Sequence, residues 1–203
     1  MQAISQKSYI SFTNTKRADT YEKANFVMNL WVNDMKIIEI LGDNKHENFS
    51  KIIEGCRGII IRGGQILLSY SKKIDQYMIP GGGLEEGESL SQCCIREIAE
   101  EVGVVADPRV HFLRLDEYYN EYYFKSNYFI CGHIGECDRN PTPDEAENEM
   151  VPKWVDLSEA IGIFGSYKEY EKDNVMQSGM YYREHLALCE FLKWDKENSE
   201  NNC

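Results

Sequence analysis

Residues 82–104 read GGLEEGESLSQCCIREIAEEVGV, a glycine-led loop running into an acidic stretch with helical spacing. No other part of the chain limits its fold so closely. On a helix, residues three and four apart share a face, so Glu97, Glu100 and Glu101 project together. Carboxylates crowded in this way raise one another's pKa values unless a divalent cation sits among them. Hard oxygen donors of this kind suit Mg²⁺ or Mn²⁺. Both helix ends are written locally: Ser89 with Gln92 three residues on forms a capping box, and Gly103 can adopt the left-handed conformation that closes the helix. Ile95, Ile98 and Val102 supply an apolar stripe that anchors one side while the acids face a cleft.

Ahead of the helix, Pro80-Gly81-Gly82-Gly83 allows a close backbone approach to a ligand, and the carbonyl of Gly81 or Gly82 can join the acids as a metal ligand. Arg96 is charged at any useful pH and presents a planar fork of donors. It is suited to holding a carboxylate such as Glu88 in place rather than to moving protons. Cys93 and Cys94 read as packing residues of the same helix.

The spacing Gly82, Glu88, Arg96-Glu97-Ile98, Glu100-Glu101, Gly103-Val104 resembles the complete box of the Nudix hydrolases. With each residue type at a frequency of roughly one in 15, seven fixed positions coincide in about one window in 10⁸. The resemblance implies an α+β fold, a Nudix-type α/β/α sandwich in which a mixed β-sheet carries a loop-helix-loop box. It also implies cleavage of the diphosphate linkage in a nucleoside diphosphate joined to another group. Gly82, Glu88 and Gly103 would support the site, and Glu97, Glu100 and Glu101 would hold Mg²⁺ or Mn²⁺ against the diphosphate. A further carboxylate must take a proton from water. Within the family it is either a box glutamate, here Glu97 first, or an acid on a distal loop, here Glu149 or Glu147 in the run before Val151-Pro152-Lys153-Trp154-Val155.

Around the box, residues 56–61 and 65–70 are apolar runs separated by Arg62-Gly63-Gly64, a hairpin signal. Residues 110–118 and 122–133 read as two further strands rich in Tyr and Phe. Tyr118 and Tyr122 among them are candidate base-stacking residues, set against the usual role of strand aromatics in cores and cross-strand pairs. Residues 179–194 carry apolar side chains at helical spacing and should pack on the sheet. Subfamily marks for ADP-ribose, NADH and coenzyme A hydrolases are absent, so the leaving group stays open. His46, His111, His133 and His185 lack metal-ligand spacing.

At 203 residues the chain fits one catalytic domain: a polar extension over residues 1–34, a Nudix domain over residues 35–195, and a flexible tail over residues 196–203. The formal charge is −12, of which residues 1–34 carry +1 and the remainder −13. Long nucleic acids should therefore be repelled, while a small metal-complexed nucleotide should not. Seven cysteines without a Cys-x-x-Cys pair, and no membrane-length apolar run, suggest a cytoplasmic protein with reduced thiols and no membrane partner. The resemblance admits a homodimer, with the N-terminal arm as one means. Two other readings stand beside hydrolysis: a catalytically silent nucleotide sensor, and a diphosphate-retaining isomerase on the same scaffold. Intact acids favour the hydrolase.

Overall fold

Neighbouring side chains on a strand point to opposite faces, and the apolar runs flanking Gly63-Gly64 bury both. Ile59 and Ile60 in β2 (Lys51–Arg62) and Ile66, Leu67 and Leu68 in β3 (Gln65–Ser71) are all buried. Ile59, Ile66 and Leu68 join one core, whereas Ile60 and Leu67 join another. A sheet with two apolar faces needs a helical layer on each.

The computed structural model describes residues 35–41, 48–119 and 121–200, and it has those layers. The extension expected over residues 1–34, His46 and Asn120 lie outside the described residues. Among the described residues the sheet has eight strands and is mixed. β1 (Lys36–Leu41) runs parallel to β6 (Val104–Tyr119), β6 antiparallel to β7 (Tyr122–Glu136), β7 parallel to β2, and the end of β2 antiparallel to β3. β4 (Gln76–Met78) and β8 (Met150–Asp156) both pair with β3. α1 (Leu90–Val102) covers one face, through Cys93, Cys94, Ile98 and Val102. After a short α2 (Pro143–Glu147), α3 (Leu157–Gly165) and α4 (Val175–Glu200) cover the other, through Ala160, Phe164, Tyr181, Leu188 and Phe191. The architecture is an α+β, α/β/α sandwich.

Two local features fix its registers. The hairpin turn between Arg62 and Gln65 is made of Gly63 at φ 59° and Gly64 at φ 83°; two successive positive φ angles match the twist of a two-residue hairpin. β5 (Gly81–Gly83) then pairs with β2 at Gly55–Arg57, so the glycine loop is stitched to the middle of the sheet before α1 begins.

The last helix is longer than its apolar stripe. It starts at Val175 and continues through Glu200, five residues into the segment expected as a flexible tail. Residues 180–200 hold no Gly or Pro and are rich in good helix formers. Lys193 bridges to Glu190 at 2.7 Å and Asn198 Nδ2 donates to the Trp194 carbonyl at 2.7 Å.

Candidate functional site

α1 begins where its sequence says it should. Ser89 Oγ accepts from Gln92 N at 3.3 Å and Gln92 Oε1 accepts from Ser89 N at 2.9 Å. Gly103 closes the helix at φ 69°, donating to the Ala99 carbonyl at 3.1 Å. The buried stripe differs from the expected one. Ile95 is 39% exposed, and the series Cys94, Ile98, Val102 at strict four-residue spacing is buried in its place. Glycine in β2 makes this close approach possible, since Ile98 lies directly against the bare Cα of Gly58.

Arg96 organises the loop side of the helix. Its Nε and Nη2 each donate to Glu88 at 2.9 Å, a bidentate grip, and Nη2 also donates to the Gly83 carbonyl at 2.9 Å. Nη1 donates to Glu97 at 2.7 Å and to Glu100 at 3.3 Å. This guanidinium holds the Glu88 carboxyl below its usual range. One cation thus donates to three carboxylates and stands 4.0 Å from a fourth, Glu85.

The box acids take separate partners. Glu97 lies against Gly82, where a Cβ would stand 2.5 Å from its Cδ and 2.6 Å from its Oε1. Glycine there is a seat for the carboxylate. Glu100 leans back on Arg96 and is partly exposed. Glu101 is buried, its Oε2 accepting from Ser69 Oγ at 2.9 Å and from Gly81 N at 3.2 Å. Burial pushes the Glu101 carboxyl up to about 8, against the pull of Ser69 and Arg57, and pushes Glu97 up against the pull of Arg96. Among the described residues no three His, Cys, Asp or Glu side chains converge into a ready metal cage. What the site offers instead is a surplus of hard oxygen donors, two of them desolvated, against the guanidiniums of Arg96 and, for Glu101, Arg57. That donor set fits a hard divalent cation, which would relieve the surplus.

A cleft of about 160 Å³ opens beside Glu101 and is lined by Ser71, Asp144, Glu145 and Asn148. The distal acids on it are therefore Asp144 and Glu145. Glu147 is exposed and paired with Lys73 at 2.9 Å, and Glu149, at φ 50°, is exposed and does not line the cleft. Glu145 also raises the pKa of both Glu97 and Glu101 through like charge. A local signal marks this residue: Thr142-Pro143-Asp144-Glu145 is itself a capping box, with Thr142 N donating to Glu145 Oε2 at 2.6 Å. The loop is moored to α1 by Arg139, whose Nε donates to the Glu101 carbonyl at 2.5 Å and Nη2 to the Met150 carbonyl at 2.7 Å. Asn140 N adds a bond to the Glu100 carbonyl at 3.2 Å.

Tyr118 and Tyr122 do not form one platform. Tyr118 pairs with Tyr123, and Tyr119 with Tyr122, so the alternation of strand side chains sends Tyr118 and Tyr122 to opposite faces. Tyr118 is buried and stacked on Tyr123 at 4.6 Å; Tyr122 stacks on Phe124 at 5.6 Å. His133 meets Glu136 at 2.9 Å and His185 Nδ1 lies 3.2 Å from the Ile161 carbonyl, while His111 Nε2 is buried without a hydrogen-bond partner.

A family profile described as NUDIX domain matches residues 55–176. Nudix hydrolase 21, chloroplastic, from Arabidopsis thaliana is 33% identical over 111 residues, covering 50% of this chain and 52% of that protein. The chain thus spans about half the length of this curated relative. Among solved structures, a NUDIX hydrolase from Nitrosomonas europaea is 20% identical with a TM-score of 0.49, covering 66% of this chain and 90% of that one. An ADP-ribose pyrophosphatase from Streptococcus suis is 15% identical with a TM-score of 0.39, covering 52% and 75%.

Proposed function

The chain belongs to the Nudix family, and from that premise we propose that it is a metal-dependent pyrophosphohydrolase acting on a nucleoside diphosphate joined to another group. The observation that carries this reading is the acidic surplus itself: Glu97 seated on Gly82, Glu100 beside it, and Glu101 desolvated under a cleft bearing Asp144 and Glu145. Packing alone gives no reason to gather more carboxylates than the guanidiniums of Arg96 and Arg57 can balance.

Glu97, Glu100 and Glu101 would hold Mg²⁺ or Mn²⁺, with the carbonyl of Gly81 or Gly82 as a further donor. Such an ion, when bound, neutralises diphosphate oxygens and makes phosphorus more open to attack by water. Arg96 keeps Glu88 and the Gly83 carbonyl fixed, and with them the loop on which Glu97 rests. A carboxylate must also take the proton of the attacking water. Glu145 lines the cleft beside Glu101 from the moored loop, whereas Glu97, Glu147 and Glu149 do not line it, so we place that role on Glu145.

The substrate is a small nucleotide-like molecule. The formal charge of −12 disfavours long nucleic acids. No described helix is long and apolar enough to cross a membrane. The unbridged cysteines Cys56, Cys93, Cys94, Cys131, Cys137 and Cys189 fit a reducing compartment such as the cytoplasm, although the Arabidopsis relative's name places that protein in the chloroplast. A homodimer fits the same reading and would show by light scattering. The test of function is a panel of ADP-ribose, diadenosine polyphosphates, NADH, nucleotide sugars and oxidised nucleoside triphosphates, with Mg²⁺ and with chelator. Metal-dependent release of a nucleoside monophosphate is expected from at least one. Binding without turnover across the panel would favour a sensor, and a product retaining its diphosphate an isomerase.

A further inference from the structure

On the sheet face covered by α4, a second cavity of about 190 Å³ borders the Gly82 and Gly83 backbone. Ile53 and Phe124 wall it, and Arg57, Ser126 and Arg183 reach it from β2, β7 and α4. Two other charged residues on its rim turn their charges elsewhere. Glu54 accepts from Asn127 Nδ2 at 3.2 Å, and Lys125 Nζ lies 5.3 Å from the centre of the Tyr123 ring. Asn127 pairs with Cys56 and Tyr123 with Tyr118, which puts both partners on the opposite face. The ionic groups left to the cavity are two guanidiniums.

Both are held from behind. Arg183 Nη2 donates to Glu184 at 2.8 Å and Nη1 stands 3.6 Å from Glu117. Glu184, fully buried, also accepts from Tyr128 Oη at 3.1 Å and stands 3.5 Å from Arg57 Nε; Glu117 accepts from Ser126 Oγ at 3.1 Å. Neither acid lines the cavity. Arg183 Nε, in contrast, is buried with no hydrogen-bond partner. An idle donor on a desolvated guanidinium is a standing penalty, and apolar side chains would serve the packing of α4 on the sheet at least as well. Arg183 has five N–H donors; it commits Nη2 to Glu184 and sets Nη1 3.6 Å from Glu117, so a rigidly held guanidinium on the cavity wall keeps donor capacity to spare. Arg57 links the place to the box, since its Nη1 holds the Ile79 carbonyl at 3.0 Å just ahead of the glycine loop.

We propose that this cavity is an oxyanion subsite that seats a phosphate carried by the substrate outside the scissile diphosphate, with Arg183 as the residue that selects for it. A guanidinium fork matches phosphate oxygens two at a time, and the walls of Ile53 and Phe124 strengthen that attraction by excluding water. The inference rests on the hydrolase reading for its catalytic consequence and deepens it by naming a substrate class: diphosphate compounds bearing one more phosphate.

The test compares matched pairs that differ by that phosphate: ADP-ribose with its 2′-phosphate, NADH with NADPH, and dephospho-coenzyme A with coenzyme A. In at least one pair kcat/KM should favour the phosphorylated member at least tenfold, expressed mainly in KM. Arg183→Lys keeps the charge opposite Glu184 and Glu117 but loses the fork, and should cut that ratio at least fivefold; Arg57→Lys should cut it in the same direction. A parallel titration of the metal-free protein with inorganic phosphate in EDTA, read from the amide shifts of Gly83 and Ser126, needs no turnover. Saturable shifts there that Arg183→Lys weakens support the subsite even if the whole panel is inert, in which case only the hydrolase reading fails. Absence of saturable shifts, or a ratio indifferent to Arg183→Lys, overturns the subsite whatever the enzyme hydrolyses.

Discussion

Gly82→Ala isolates the seat of Glu97 from the stability of the fold. The new Cβ would stand 2.5 Å from the Glu97 Cδ and 2.6 Å from its Oε1, whereas carbon atoms rest at about 3.5 Å or more. The carboxylate must therefore retreat by about 1 Å, and a displacement of that size in a reacting constellation costs about 10²-fold in rate, or ~2.7 kcal/mol of barrier. The backbone at Gly82 is not in the left-handed region, and the colliding group is the far end of a long side chain. The substitution should therefore leave the unfolding free energy within about 1 kcal/mol of wild type, helped by the lower chain entropy of alanine. Gly162→Ala, where a Cβ meets open space on α3, is the control for glycine replacement as such. The assay is steady-state hydrolysis of the best panel substrate alongside urea unfolding of each variant. A Gly82→Ala enzyme that turns over like the Gly162→Ala enzyme, or whose rate loss simply follows a loss of fold, would refute the seating argument.

Three further outcomes follow from the geometry. Glu145→Gln should lower kcat at least tenfold at unchanged stability while Glu149→Gln stays within about twofold; the reverse order would return the distal role to Glu149. Arg139→Ala removes donors from the carbonyls of Glu101 and Met150, and should cost about 2–3 kcal/mol of unfolding free energy with a fall in kcat as the acidic loop loosens. A urea midpoint indistinguishable from wild type would show that the mooring is idle. Ser89→Ala breaks the capping box of α1 and should cost ~1 kcal/mol, measurable in the same urea titration, with no effect expected on substrate preference.

The parts of the molecule legible in the sequence are those fixed by local chemistry. Ser89 and Gly103 bound α1 because capping is decided within a turn, and Gly63-Gly64 bends the β2–β3 hairpin because the turn needs two positive φ angles. Less visible was whatever depends on partners far along the chain. Strand-forming residues begin at Lys51-Ile52-Ile53, but nothing local names β7 as the parallel neighbour of β2 over Lys51–Ile60. Ile95 fits an apolar stripe by spacing, yet the stripe that faces β2 is Cys94, Ile98 and Val102, with Ile98 filling the space over the bare Cα of Gly58. The run before β8 offers Glu147 and Glu149 by position, while the acids that line the cleft, Asp144 and Glu145, sit in the capping box begun by Thr142. In α4, Tyr181, Glu184, Leu188 and Phe191 repeat at three- and four-residue spacing, which places a glutamate on the stripe that otherwise packs the core. That charge on an apolar face was the written trace of the buried network around Arg183.

The central claim is that the acids of α1 hold a divalent ion, and direct titration of Mn²⁺ against the metal-free protein tests it, with bound ion counted by electron paramagnetic resonance. Wild type should bind at least one ion per chain, and Glu97→Gln/Glu100→Gln/Glu101→Gln, which keeps the shapes and removes the charges, should bind none in the same concentration range. Equal binding by the two proteins, or none by wild type, would contradict the account.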